Sequence, residues 1–141
     1  MVNACWENMI EVSRDGQTWL PVANAETFDL LAEVGKETWV PIGGTGWQEA
    51  FSTTKALKAA LTAKRTVGDE GNDLIASLFG KSGNDAYLYI RVNYPSGLKI
   101  SCKFSVVVTN IGTGAGTGMA GLQADGDSCG APTFEDPEAT E

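Results

Sequence analysis

Residues 86–108 constrain the fold more than any other stretch of this chain. From Ala86 the sequence alternates without a break, with Ala86, Leu88, Ile90, Val92 and Tyr94 on one side and Tyr87, Tyr89, Arg91 and Asn93 on the other. A strict period of two is the pattern of a strand with one buried face. Tyr94-Pro95-Ser96-Gly97 supplies turn chemistry. The apolar side then resumes with Leu98, Ile100, Cys102, Phe104, Val106 and Val108, while Lys99, Ser101, Lys103 and Ser105 stay polar. The stretch predicts an antiparallel hairpin whose strands share one buried face. A short amphipathic helix is predicted just before it, over residues 69–79. Its first turn is acidic, Leu74, Ile75, Leu78 and Phe79 lie on one side, and Gly80 stands where a left-handed stop is needed.

Upstream, residues 10–13 and 18–22 are short strand-like runs joined by Arg14-Asp15-Gly16-Gln17, and Pro21 puts the second at a sheet edge. Residues 27–32 form another candidate strand. Residues 33–47, with Trp39, Pro41, Gly43, Gly44, Gly46 and Trp47, are expected to be a long loop. Long loops in small domains usually serve a purpose, and two tryptophans on an arm suit a surface that a partner buries. The alternative is that both fold back onto their own core. Residues 50–67 are ambiguous. Leu57, Leu61 and the alanines favour a helix by propensity, yet the segment also divides cleanly at period two. After Thr109, the glycine-rich run to Met119 is a flexible loop or an irregular edge strand, residues 122–124 are a short strand, and residues 133–141 are an acidic tail. Residues 1–9 form an N-terminal arm.

With 141 residues, 43% of them hydrophobic, the chain suits one compact domain. Its net charge of −8 disfavours gripping DNA, although passing DNA without binding it stays open. Bases concentrate in residues 51–110, while residues 1–50 and 111–141 are acidic, a segregation that favours ordered contact between copies. Equally, such charges can simply sit on solvated faces. There is no histidine, so no serine or cysteine has the usual base beside it, and an enzyme is not expected. Cys5, Cys102 and Cys129 are an odd set without metal-site spacing, and neither a secretory signal nor a membrane span is visible.

Two motif matches carry little. Gly116-Thr117-Gly118-Met119-Ala120-Gly121 spells a dinucleotide fingerprint but does not open a helix, and Gly80-Lys81-Ser82 lacks the first glycine of a phosphate loop. Asp125-Gly126-Asp127-Ser128-Cys129-Gly130 begins like a calcium loop closed by Asp136, but Cys129 replaces an oxygen ligand and no helices flank it, so an acidic turn is expected. No cofactor is expected.

Taken in order, the chain resembles the major tail tube proteins of long-tailed bacteriophages with flexible, non-contractile tails. The likeness is carried by Gly46-Trp47-Gln48-Glu49-Ala50-Phe51, Asp73-Leu74-Ile75-Ala76-Ser77-Leu78-Phe79, the run from Val92 through Tyr94-Pro95-Ser96-Gly97 to Thr109, and Gly130-Ala131-Pro132. The resemblance implies a mainly β protein, an antiparallel sandwich or barrel with one flanking helix. It further implies six copies closing into rings that stack into a tube, through which DNA and the tape-measure protein pass without specific binding. Tail-tip and tail-terminator proteins would be further partners, and the virion tail the location. It also implies a strand for residues 50–67. On this reading Trp39, Val40, Pro41, Ile42 and Trp47 contact the next ring, and Tyr87, Tyr89, Arg91, Asn93, Lys99, Ser101 and Lys103 belong to the inner sheet of the tube. The alternatives are a monomeric immunoglobulin-like binding or decoration module and a type VI secretion tube subunit.

Overall fold

A computed structural model of the chain describes residue 2 and residues 4–135. Its strands are β1 (Met9–Ser13), β2 (Leu20–Pro21), β3 (Ala25–Trp39), β4 (Glu49–Lys64), β5 (Tyr87–Asn93), β6 (Lys99–Asn110), β7 (Gly121–Ser128) and β8 (Thr133–Glu135). One helix, α1 (Glu70–Ala76), lies between β4 and β5. All strand pairs are antiparallel, and the sheet runs β2-β1-β5-β6-β7-β4-β3, with β8 added beside the start of β6.

The 86–108 hairpin forms as the alternation predicts. Ile90 faces Cys102 and Leu88 faces Phe104, all four buried, and the turn closes with Gly97 at φ 96°. β1 adds to the other side of β5, with Val12 opposite Ile90. The sheet then curls. Ile10 and Val12 of β1 line the same cavity as Phe28 of β3 and Ala59 and Leu61 of β4. On a flat sheet β1 and β3 would be five spacings, roughly 24 Å, apart.

The curl stops short of closure, so the sandwich-or-barrel expectation resolves to a single open sheet folded around its own apolar face. The edges are β2 and β3. A two-residue β2 ending in Pro21, which has no N–H to donate, cannot close a ladder against a fifteen-residue strand. Pro21 thus lies at an edge, although the strand predicted over residues 18–22 shrinks to Leu20–Pro21.

Helix α1 sits against β1 and β2, with Ile75 and, just beyond its end, Leu78 buried in the core. Asp69 caps it, its Oδ2 accepting from Asn72 N–H at 3.0 Å and from Ala23 N–H at 3.1 Å. Gly80 has φ 78°, as the predicted stop requires. Phe79, expected on the buried side, is exposed. Gly71 explains a glycine inside a seven-residue helix. A Cβ there would lie 2.3 Å from the Pro21 carbonyl oxygen, so only glycine lets the helix approach β2 this closely.

Several expectations are corrected. Residues 33–39 are strand, so the connection predicted over residues 33–47 shrinks to residues 40–48. Residues 49–64 are β4, the strand implied by the family likeness and not the helix favoured by propensity, because β4 is paired along its length by β3 and additionally by β7. The strand expected over residues 122–124 extends to Gly121–Ser128. The supposed acidic turn is therefore ladder, with Asp125 opposite Val107 and Asp127 opposite Ser105. In the N-terminal arm, residues Cys5–Glu7 make a 3-10 turn and Met9 already belongs to β1. Thr133–Glu135, counted in the tail, pairs with β6, while residues 136–141 lie outside the described residues.

Candidate assembly surface

Two surfaces answer to the sequence-predicted contacts. The first is the far half of the β3–β4 hairpin. Near the core, Phe28, Leu30, Ala32 and Leu57, Ala59, Leu61, Ala63 share the inward face, but from Glu33 outward nearly every residue of both strands is exposed. The pair continues for about eight residues of β4, roughly 27 Å, as a two-stranded ribbon with solvent on both faces. Such a ribbon is marginal in water unless something packs against it.

Its tip is apolar. Trp39 opposes Glu49 and Phe51 opposes Glu37, which sets Trp39 and Phe51 on a diagonal of one face. Phe51 is 66% exposed, Trp47 78%, and Ile42 in the 40–48 connection is fully exposed. Trp39, Val40, Pro41, Ile42 and Trp47 are thus gathered at one end of the molecule, and neither tryptophan folds back onto the core. Sequence reading missed Phe51 and Val34, since a ribbon wet on both faces shows no apolar alternation to mark it. Gly35 sits at a bulge where β4 carries one extra residue, and a Cβ there would lie 2.4 Å from Thr54 Oγ1.

The second surface is the outward face of the β5–β6 hairpin. Tyr89 opposes Lys103, Arg91 opposes Ser101 and Asn93 opposes Lys99, so with Tyr87 all seven predicted residues fall on that face. Arg91 Nη2 donates to Glu11 Oε1 at 2.7 Å and its guanidinium lies 4.4 Å above the Trp19 ring. Asn93 Nδ2 also donates to Glu11. Burial raises the Glu11 pKa, but the hydrogen bonds from Arg91 and Asn93 and the charges of Arg91 and Lys99 outweigh it, leaving the carboxyl below its ordinary 4.5. Glu11 and Trp19 were not singled out from sequence, because their partner Arg91 lies 80 positions from the first and is similarly remote from the second. Lys103 stacks on Tyr87, 4.2 Å above its ring. The row Tyr87, Ser105, Asp127, Lys58 continues this face across β6 and β7 to β4. Among the described residues no cluster of three or more His, Cys, Asp or Glu is placed to hold a metal ion.

No family model matches the sequence, and no curated protein matches it. Its structure has close parallels. It superposes on a chain from the six-fold symmetric tail of an empty gene transfer agent particle with a TM-score of 0.77 at 15% identity, covering 95% of this chain and 99% of that one. The chain shares the fold of this tail component. A chain of the native gene transfer agent virion matches with a TM-score of 0.73 at 13% identity, covering 95% and 99% of the two chains. One from the sheath-tube complex of an extracellular contractile injection system matches at 0.56 and 11%, covering 94% and 90%. The same fold therefore occurs in a contractile system and does not single out the non-contractile tails of the sequence likeness.

Proposed function

We propose that this protein is a structural, non-enzymatic tail tube subunit of a virion or virion-like particle. Six copies close into a ring, rings stack into a tube, and the tube conducts DNA and a tape-measure protein without binding either specifically. Tail-tip and tail-terminator proteins cap its ends. The observation that carries this reading is the fold shared, over 95% of the chain, with a chain from the tail of a gene transfer agent particle. Two features of the chain agree with it. A ribbon exposed on both faces and ending in Trp39, Ile42, Trp47 and Phe51 is what a subunit awaiting a neighbour presents, and a monomeric binding module has no use for it. The open sheet offers β3 as a fifteen-residue edge available for pairing between copies. In the ring, the outward face carrying Tyr87, Tyr89, Arg91, Asn93, Lys99, Ser101 and Lys103 forms part of the inner sheet.

The test is negative-stain microscopy and light scattering of the purified protein over a range of concentrations, alone and with particle tail tips as template. Rings or tubes of uniform width are expected. A strictly monomeric protein under all these conditions would remove the proposal.

A further inference from the structure

At one end of the β5–β6 hairpin, its outward face opens into a cleft of about 300 Å³ lined by Arg14, Asn84, Tyr87, Tyr89 and Lys103. Two of the five are cations and none is an acid, in a chain of net charge −8. Among the described residues, neither Arg14 nor Lys103 has a carboxylate within 4.0 Å. The acids beside the cleft in sequence are engaged elsewhere. Asp15 Oδ1 accepts from Ser13 Oγ at 2.8 Å and from the Gln17 and Thr18 N–H groups at 2.8 and 3.0 Å. Asp85 meets Arg14 through its backbone carbonyl.

The cleft is held in shape by its own residues. Arg14 Nη1 donates to the carbonyl oxygens of Tyr87 at 2.8 Å and Asp85 at 3.2 Å, leaving the Nε–H and both Nη2 hydrogens for a ligand. Lys103 Nζ rests 4.2 Å above the Tyr87 ring. Tyr89 lies against the turn that carries Arg14, where a Cβ on Gly16 would come within 3.4 Å of its ring. Ser13 ties that turn down, its Oγ accepting from the Gly16 N–H at 2.9 Å. Both cations are thus anchored on Tyr87, and donors fixed in advance need little further ordering when an anion arrives. We propose that this cleft is an oxyanion site that takes a phosphate group. On the tube reading above, on which this second part rests, the phosphates are those of the passing DNA, met by one cleft per subunit without regard to sequence.

Three features select this ligand. First, the donors come from several sides: a guanidinium, an ammonium, the Asn84 amide and two tyrosine hydroxyls, an arrangement suited to the divergent oxygens of a tetrahedral anion. Second, the space matches. At about 30 Å³ per water, the cleft holds roughly ten waters, enough for a phosphate with its flanking sugar or part of its hydration. Third, the cleft lies on the face assigned to the inner sheet, and its cations are open to solvent, Arg14 fully and Lys103 in part. Screening keeps each such contact weak, so a strand meeting one cleft after another is guided and released. No base edge is read, which makes the contact independent of sequence.

The test is an NMR titration of the isotope-labelled, unassembled full chain with inorganic phosphate and then with a short DNA duplex, at matched ionic strength, with acetate as control. Saturable shifts are expected at the Asn84 side-chain amide and at the backbone amides of Gly16, Tyr87 and Lys103, from phosphate and duplex in competition and not from acetate. Lys103→Gln should weaken both ligands about tenfold, the worth of one charge-assisted hydrogen bond. Arg14→Gln should weaken them at least as much, and Lys103→Gln decides the matter if the loss of the Arg14 carbonyl bonds disturbs the turn. Shifts from phosphate but not from the duplex would overturn DNA as the source. Equal shifts from acetate, no saturable shift at all, or unchanged affinity in Lys103→Gln would overturn the site itself. The titration needs no assembled tube, so its failure leaves the tube function standing. Protein that binds phosphate but never forms rings would instead be a failure of that function.

Discussion

Replacing Asn72 by alanine tests how the root of the assembly ribbon is held. Asn72 is a fully buried polar side chain at the junction of α1, the end of β4 and the turn into β3. Its Nδ2 donates to the carbonyls of Lys64 at 2.9 Å and Ala23 at 3.4 Å, and its Oδ1 accepts from Thr66 N–H at 3.1 Å and Arg65 Nη1 at 2.8 Å. In the alanine variant Arg65 keeps Asp73 at 2.8 Å, and the Lys64 carbonyl keeps the Thr66 hydroxyl at 3.2 Å. The Thr66 N–H and the Ala23 carbonyl are left without these partners. At about 1–3 kcal/mol for each stranded group, the loss is about 3 kcal/mol. For a domain of this size that lowers Tm by roughly 12 °C, at about 4 °C per kcal/mol. Urea and thermal denaturation of the unassembled subunit, followed by circular dichroism, measure it. A loss below about 1 kcal/mol would show that the Asn72 network does not join helix to sheet as described.

Gly71→Ala should destabilise the subunit by about 1–3 kcal/mol even though alanine is the better helix former by about 1, because its Cβ meets the Pro21 backbone; a denaturant midpoint at or above wild type contradicts this. Glu11 has a lowered folded-state pKa, so its stabilising effect is complete above its unfolded value near 4.5 and is lost as pH falls through the folded value. Between about pH 5 and pH 3, wild type should therefore lose stability more steeply than Glu11→Gln, and parallel acid limbs in urea titrations at several pH values would exclude that role. Trp39→Ser combined with Trp47→Ser should leave monomer stability within about 0.5 kcal/mol of wild type, since both side chains face solvent, while abolishing tube growth in light scattering.

Legibility in the sequence follows the chemistry of each element. The β5–β6 hairpin was readable because one face is buried, which forces alternation on residues 86–108. The helix was readable because Asp69 and Gly80 mark its ends with side-chain and backbone chemistry. The ribbon was not, because both of its faces are wet in the single chain and Glu33-Val34-Gly35-Lys36-Glu37 carries no periodic apolar signal. β4 was hidden by alanines and lysines of high helix propensity, overridden by ladders to β3 and β7. Of the candidate surface, the two tryptophans and the polar row of the hairpin could be named in advance. What binds them together could not: Phe51 joins Trp39 only through a cross-strand register, Glu11 joins Arg91 only through the pairing of β1 with β5, and Trp19 reaches Arg91 from the connection between β1 and β2.

The most direct test is a cryo-electron microscopy reconstruction of the tube assembled from the full chain. Six subunits per ring are expected, with the 86–108 hairpin in the inner sheet and the ribbon tip around Trp39, Ile42 and Trp47 covered by a neighbouring subunit. An assembly in which the ribbon tips point freely into solvent, or in which copies associate through α1 with no ring at all, would contradict the account.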